Sequence, residues 1–268
     1  MKNKVLTLVA FVLLMGTLVS CGNIGNTTAA SGTSGTEAET SASTKKTVAT
    51  TAPFVIPEHT DGLKFTYSSN NKQYSLYQYS GSEKEVIIPS MYDDGKNGPA
   101  PVVMVHAGIF RSKGIKSIVL SENITVIGKE AFMRCSDLES ITLYPGITSI
   151  GDYAFEMCSK LKDITIPSGV TAIGNRAFGS CSSIESIVIP QTTKTIDSFA
   201  FNGCTSLKTI TILSEDLSIG LAAFSSVPDQ TQVNFCGTEE QWNAIVGTTV
   251  IFPKDITINY NFNYVPEA

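Results

Sequence analysis

A fixed interval of 23 residues constrains this chain more than any other feature. Cys135, Cys158, Cys181 and Cys204 are spaced by it, and each follows an Ala-Phe pair by three residues. Those pairs are Ala131-Phe132, Ala154-Phe155, Ala177-Phe178 and Ala200-Phe201, and Ala223-Phe224 continues the interval without its cysteine. A constant period of this length is the mark of a solenoid, whose coils each leave an apolar face that the next coil must cover. Leu161, Ile164 and Ile166 have counterparts at Leu138, Ile141 and Leu143, at Ile184, Ile187 and Ile189, and at Leu207, Ile210 and Ile212; Ile115, Ile118 and Leu120 open the series. Spacing by two puts the last two of each set on one face of a short strand. Pro167 and Gly169 then mark a turn, and Val170 and Ile173 begin a return segment closed by a glycine at Gly128, Gly151, Gly174 and Gly220. The Ala-Phe pair fits one tight helical turn with the ring inward, and the cysteine serves as a small apolar wall residue.

The outward positions follow from the same register. Val119, Thr142, Thr165, Val188 and Thr211 form a flat, weakly polar row, beside Lys116, Glu139, Lys162, Glu185 and Lys208, which alternate in sign. Stacked in parallel, each of these charges is expected to face an opposite one on both neighbouring coils, a contribution of about 0.2–1 kcal/mol per pair. The bland reading, a ladder that sets register and keeps the face soluble, outweighs a ligand groove.

Aligned on its cysteine, the unit resembles the BspA-like class of bacterial leucine-rich repeats, C-x-x-L-x-x-I-x-I-P-x-x-V-x-x-I-G-x-x-A-F-x-x-C. Five units match over residues 115–226. Asp197 replaces the glycine, Tyr144, Ser121 and Leu213 replace the proline, and Val227 replaces the last cysteine. The fold class expected is mostly β with short helical turns: a leucine-rich repeat solenoid of stacked 23-residue coils with an N-terminal β cap and a C-terminal cap. Residues 54–114 hold the first cap, with a hairpin around Ser68–Lys72 and a degenerate first repeat at Ile109-Phe110. Residues 227–268 hold the second, where Trp242 is expected to lid the last coil.

Residues 1–20 read as a signal peptide. Lys2 and Lys4 precede Val5–Val19, which carries no charge and is shorter than the roughly 20 residues a membrane-spanning helix needs. Leu18-Val19-Ser20-Cys21 resembles a lipoprotein processing box that leaves Cys21 acylated. Residues 21–53 comprise that cysteine and a tether in which 23 of the 32 residues from Gly22 to Pro53 are Thr, Ser, Ala or Gly, a composition that cannot bury a core. The expected location is extracytoplasmic, lipid-anchored to the bacterial membrane or cell surface, with the lipid as the sole membrane attachment.

With Cys21 assigned to lipid, the repeat cysteines fall in register on one inner edge. Adjacent strands lie about 5 Å apart, but parallel stacked side chains seldom offer the disulfide torsion, so a buried thiol ladder of Cys135, Cys158, Cys181 and Cys204 is favoured. Cys236 is left unassigned.

Chemistry finds little purchase. A net charge of −5 argues against nucleic acid. His59 and His106 are the only histidines, His106 reading as a satisfied structural residue, and no His-Glu-x-x-His, Cys-x-x-Cys, Gly-x-Ser-x-Gly or phosphate-binding glycine loop occurs. Asp93-Asp94-Gly95 reads first as a turn. No catalytic residue, metal ligand or cofactor is expected. Exposed aromatic residues are the better candidates for a partner: Tyr144 interrupts the proline row, and Tyr153 and Phe199 sit at variable positions just before Ala-Phe pairs. The resemblance implies adhesion, since BspA-like proteins are associated with host matrix proteins such as fibronectin and fibrinogen and with contact between cells. The alternative is a structural spacer or scaffold of the cell envelope, without enzymatic activity in either case.

Overall fold

The computed structural model describes residues 58–162, 164–246, 252–253 and 255–265. The signal peptide, Cys21 and the tether lie outside the described residues. Among the described residues no helix is long and apolar enough to cross a membrane.

The chain opens with an antiparallel hairpin, β1 (Leu63–Ser68) and β2 (Gln73–Tyr79), followed by β3 (Glu85–Ile87), β4 (Met91–Tyr92) and β5 (Ala100–Val105). Then come the coils. Their strands are β6 (Ser117–Val119) and β7 (Val126–Ile127), β8 (Ser140–Thr142) and β9 (Ser149–Ile150), β10 (Ala172–Ile173), β11 (Ser186–Ile189) and β12 (Thr195–Ile196), and β13 (Thr209–Ile212) and β14 (Ser218–Ile219). The chain closes with β15 (Gln232–Phe235), α1 (Glu239–Val246) and β16 (Thr257–Asn259).

Two parallel faces result. The first strand of each coil builds the runs β3-β6-β8 and β11-β13-β15-β16, in registers that keep the 23-residue interval, as in Ile187 opposite Ile210. The return segments build a second sheet, β1-β2-β5-β7-β9-β10-β12-β14. Its coil strands are two residues long, too short to alternate visibly in a sequence. Glycine follows four of the five, Asp197 standing after β12, and close approach favours it: a Cβ on Gly174 would stand 2.6 Å from the backbone nitrogen of Asp152.

Between the sheets the core is layered by residue type. Six rings, Phe110, Phe132, Phe155, Phe178, Phe201 and Phe224, stack with centroids 5.2 Å apart at every step, and Phe252 adds a seventh at the same distance. Offset stacks of this kind add about 0.5–1.5 kcal/mol per pair beyond burial. Trp242, on α1, closes the column, 5.4 Å from Phe235 and 5.5 Å from Phe252. A reciprocal capping box starts α1: Gln241 N–H donates to the Thr238 hydroxyl and Thr238 N–H to the Gln241 side-chain oxygen.

The four repeat cysteines are buried and free. Each thiol donates to the Phe carbonyl of the preceding coil: Cys158 to Phe132 at 3.2 Å, Cys181 to Phe155 at 3.1 Å, Cys204 to Phe178 at 3.3 Å, and Cys135 to Phe110 at 2.9 Å. The Phe132 carbonyl already accepts the Cys135 N–H at 3.1 Å, so the next coil's thiol takes its second lone pair. A small apolar side chain with a weak donor is what that site calls for.

Two outward-face expectations are revised. Thr211 is buried, in register between Val188 and Asn234, whose carboxamide oxygen is bridged by Gln232 and Asn259. In the alternating charge row, Lys208–Glu185 closes at 2.6 Å and is the one pair within 4 Å among the described residues. Both of its side chains are well exposed, so hydration competes with the attraction at each rung.

Candidate binding edge

The Ala-Phe segment turns the chain with the ring inward, but its backbone is a run of linked β-turns in place of a helical turn. Ala131, Met133 and Cys135 donate their N–H groups three residues back within the coil, to Gly128, Glu130 and Phe132. The intervening Glu130, Phe132 and Arg134 donate across to Asp152, Ala154 and Glu156 of the next coil. Alternate peptides must therefore face along the solenoid axis, and left-handed residues achieve the flip. Two recur in every coil: Glu130 and Arg134 (φ 57° and 61°), Tyr153 and Met157 (56° and 61°), Arg176 and Ser180 (50° and 58°), Phe199 and Gly203 (61° and 76°), Ala222 and Ser226 (54° and 60°).

This edge gathers two of the three aromatic candidates. Tyr153 and Phe199 occupy one column two coils apart, with Arg176 between them, and both are half-buried. The Arg176 guanidinium lies 4.7 Å from the Phe199 ring centroid and the Lys129 ammonium 5.8 Å from that of Tyr153. Met157 and Leu221, two of the few exposed large apolar residues, lie on the same edge. Sequence reasoning passed over Arg176, Met157 and Leu221; counting by 23 puts Arg176 in the column of Tyr153 and Phe199, Leu221 in the column just before it and Met157 four positions after it.

Tyr144 stands apart. It lies in the turn between β8 and β9, at another corner of the coil, and is half-buried there. Burial, followed by the nearby Glu122 carboxylate, raises its phenol above the usual range. The His106 side chain is exposed, and His59 meets Tyr92 edge to face at 6.2 Å. Asp93 and Asp94 accept backbone N–H groups of their own loop, Gly95 on the first and Lys96 and Asn97 on the second. No group of three or more potential metal ligands occurs among the described residues.

The electrostatics of the edge are partly satisfied within it. Arg111 binds Glu130 at 2.8 Å, and Asp152 accepts the Asn175 N–H at 2.9 Å. Glu156, almost wholly buried, sits 3.8 Å from Arg176, in range for charge attraction but longer than a hydrogen bond. Lys129 and Arg134 are exposed and have no ion-pair partner among the described residues. The edge can thus offer apolar surface and planar donors, with four cations (Arg111, Lys129, Arg134 and Arg176) against four acids (Glu130, Asp152, Glu156 and Asp197).

Comparison with known proteins agrees with the architecture. Residues 104–230 match the BspA type leucine rich repeat region in six copies, the first taking in the degenerate coil at Ile109-Phe110. The leucine-rich repeat protein of T. pallidum is 26% identical, with 65% of this chain and 83% of that one covered and a TM-score of 0.53. A leucine rich cell surface protein from Faecalibacterium prausnitzii A2-165 is 25% identical, covering 67% of this chain and 55% of its own, with a TM-score of 0.51. The pneumococcal vaccine antigen PcpA shares the fold at a TM-score of 0.54 and 19% identity, covering 72% of this chain and 45% of its own. The chain therefore spans about half the length of the latter two. No curated protein matches it in sequence. Six copies of the repeat, stacked into one solenoid, make residues 104–230 of this chain a BspA-type leucine-rich repeat region.

Proposed function

We propose that this protein binds other proteins through the edge that carries Tyr153, Arg176 and Phe199. The observation that carries the reading is conformational. Left-handed backbone is cheapest for glycine or asparagine, and any other residue, alanine included, costs on the order of 1 kcal/mol there. Every coil needs a left-handed residue at this position, and Ala222 fills it with a small side chain at φ 54°. Tyr, Arg and Phe at the same position bear that cost while staying half-exposed, and these are residue types that dominate interface energetics. A pure spacer gains nothing from them.

The finer reading follows the family resemblance: attachment to host matrix proteins such as fibronectin or fibrinogen, or to other cells, by a chain exported through its first 20 residues and held by lipid on Cys21. The cell-surface description of the Faecalibacterium relative supports display outside the cell. The low polarity and small side chains of much of the first sheet favour the spacer reading instead.

The test is biolayer interferometry of the full chain over immobilised fibronectin, fibrinogen and collagen, with salt varied. Saturable binding is expected, weakened about tenfold or more in a Tyr153→Ala, Phe199→Ala variant and unchanged in Tyr144→Ala. Absence of binding up to tens of micromolar would reject matrix adhesion and leave the spacer reading ahead.

A further inference from the structure

Resting on that reading, we infer that Arg176 is a receptor for a carboxylate, and that the partner of this edge is an extended peptide segment bearing an acidic residue beside apolar ones. The guanidinium of Arg176 is held from two sides. Its central carbon lies 4.7 Å from the centre of the Phe199 ring, a cation–π contact that restrains the side chain before any ligand arrives. Its nearest carboxylate among the described residues, Glu156, stands at 3.8 Å, which orients the charge but leaves the N–H fork without a hydrogen-bonded acceptor among those residues. The side chain is 38% exposed, so it is accessible from solvent. A planar guanidinium fork matches a carboxylate in bidentate geometry.

Charge complementarity chooses the partner. Of the edge's acids, Glu130 and Asp152 accept hydrogen bonds from Arg111 and from the Asn175 N–H, Glu156 is largely buried beside Arg176, and Asp197 lies exposed in the coil of Phe199, whereas Lys129 and Arg134, one coil from Tyr153, have no ion pair among the described residues. A ligand with one or two carboxylates is attracted here. A polyanion is not, because the chain as a whole carries −5. Sugar stacking is disfavoured as well, since a cation already sits over a face of each ring, Lys129 on Tyr153 and Arg176 on Phe199. The exposed Met157, next in sequence to Glu156 on the neighbouring coil, supplies the apolar contact that flanks the acidic residue.

The probes are the peptides acetyl-Gly-Leu-Glu-Leu-Gly-amide and its Gln counterpart, with a heparin oligosaccharide as the polyanion. Each is titrated into the ¹⁵N-labelled full chain while the Arg176 Nε–Hε resonance is followed. The Glu peptide is expected to shift that resonance saturably, the Gln peptide to bind about tenfold more weakly, and Arg176→Lys to lose about the same factor at an unchanged thermal midpoint. Equal affinity for the two peptides, no binding of either, or tighter binding of heparin overturns the inference. The two readings separate cleanly: if Arg176→Lys binds an immobilised matrix protein as the parent does while Phe199→Ala does not, the edge stands and the carboxylate receptor falls.

Discussion

Raising the pH should unfold this protein through its thiol ladder. Burial pushes the Cys135 thiol up to about 11 and that of Cys204 up to about 12. Burial, with the adjacent thiols as a further cause, raises Cys158 and Cys181 in the same direction. In the unfolded chain a thiol releases its proton near 8.5. Above that value the unfolded state binds fewer protons than the folded one, so stability is complete below about pH 8.5 and declines as pH climbs toward the folded values. One unit above the unfolded value each thiol removes about 1.4 kcal/mol, and four remove roughly 5–6 kcal/mol, a large share of a typical 5–15 kcal/mol total. Urea titration under reducing conditions at about pH 7.5 and about pH 9.5 reads this directly, below the range where lysines and tyrosines titrate freely. Cys181→Ala, which deletes the most deeply buried thiol, should lose about a quarter less over the same interval. A parent protein that loses under about 1 kcal/mol, or a variant with the parent's slope, would refute the account.

Two substitution series test the core. Phe178→Ala, with a stacked ring on either side, should cost about 3–5 kcal/mol by chemical denaturation, toward the upper end, and Phe252→Ala, half-exposed at the end of the column, clearly less; equal losses would mean the stack adds nothing beyond burial. Gly174→Ala drives a Cβ to 2.6 Å from the Asp152 backbone nitrogen and should cost about 1–3 kcal/mol. Gly203→Ala meets nothing closer than 3.2 Å and should cost only the left-handed penalty, about 1 kcal/mol, although its φ of 76° makes it look the more demanding glycine.

The layered core was legible because its residues repeat by type. Phe132 predicts Phe155, and Ile187 opposite Ile210 follows from counting 23. The hairpin, too, could be read from the alternation in Tyr74-Ser75-Leu76. The linked turns could not. Left-handed positions announce themselves through glycine or asparagine, and here they hold Glu130, Tyr153, Arg176 and Phe199. A helical turn was the natural reading of so few residues, and only the alternation of hydrogen bonds within and between coils excludes it. The grouping of Tyr153 with Phe199, and the separation of both from Tyr144, likewise depends on which corner of the coil each occupies. Burial of Thr211 arises from its neighbours on adjacent strands, which no single repeat contains.

The cross-coil bonds of the Ala-Phe segment have an evolutionary consequence. Every coil donates to the next and receives from the one before at homologous atoms, so a duplicated stretch of 23 residues meets a ready-made docking partner on both sides. It adds one ring to the column, one thiol to its carbonyl and one rung to each sheet. A single-residue insertion shifts every later donor off its acceptor and rotates the inward rings out of the core. Length in such a chain is therefore inherited in whole units: relatives are expected to differ by integral coils at constant cross-section, with the two caps carried along unchanged.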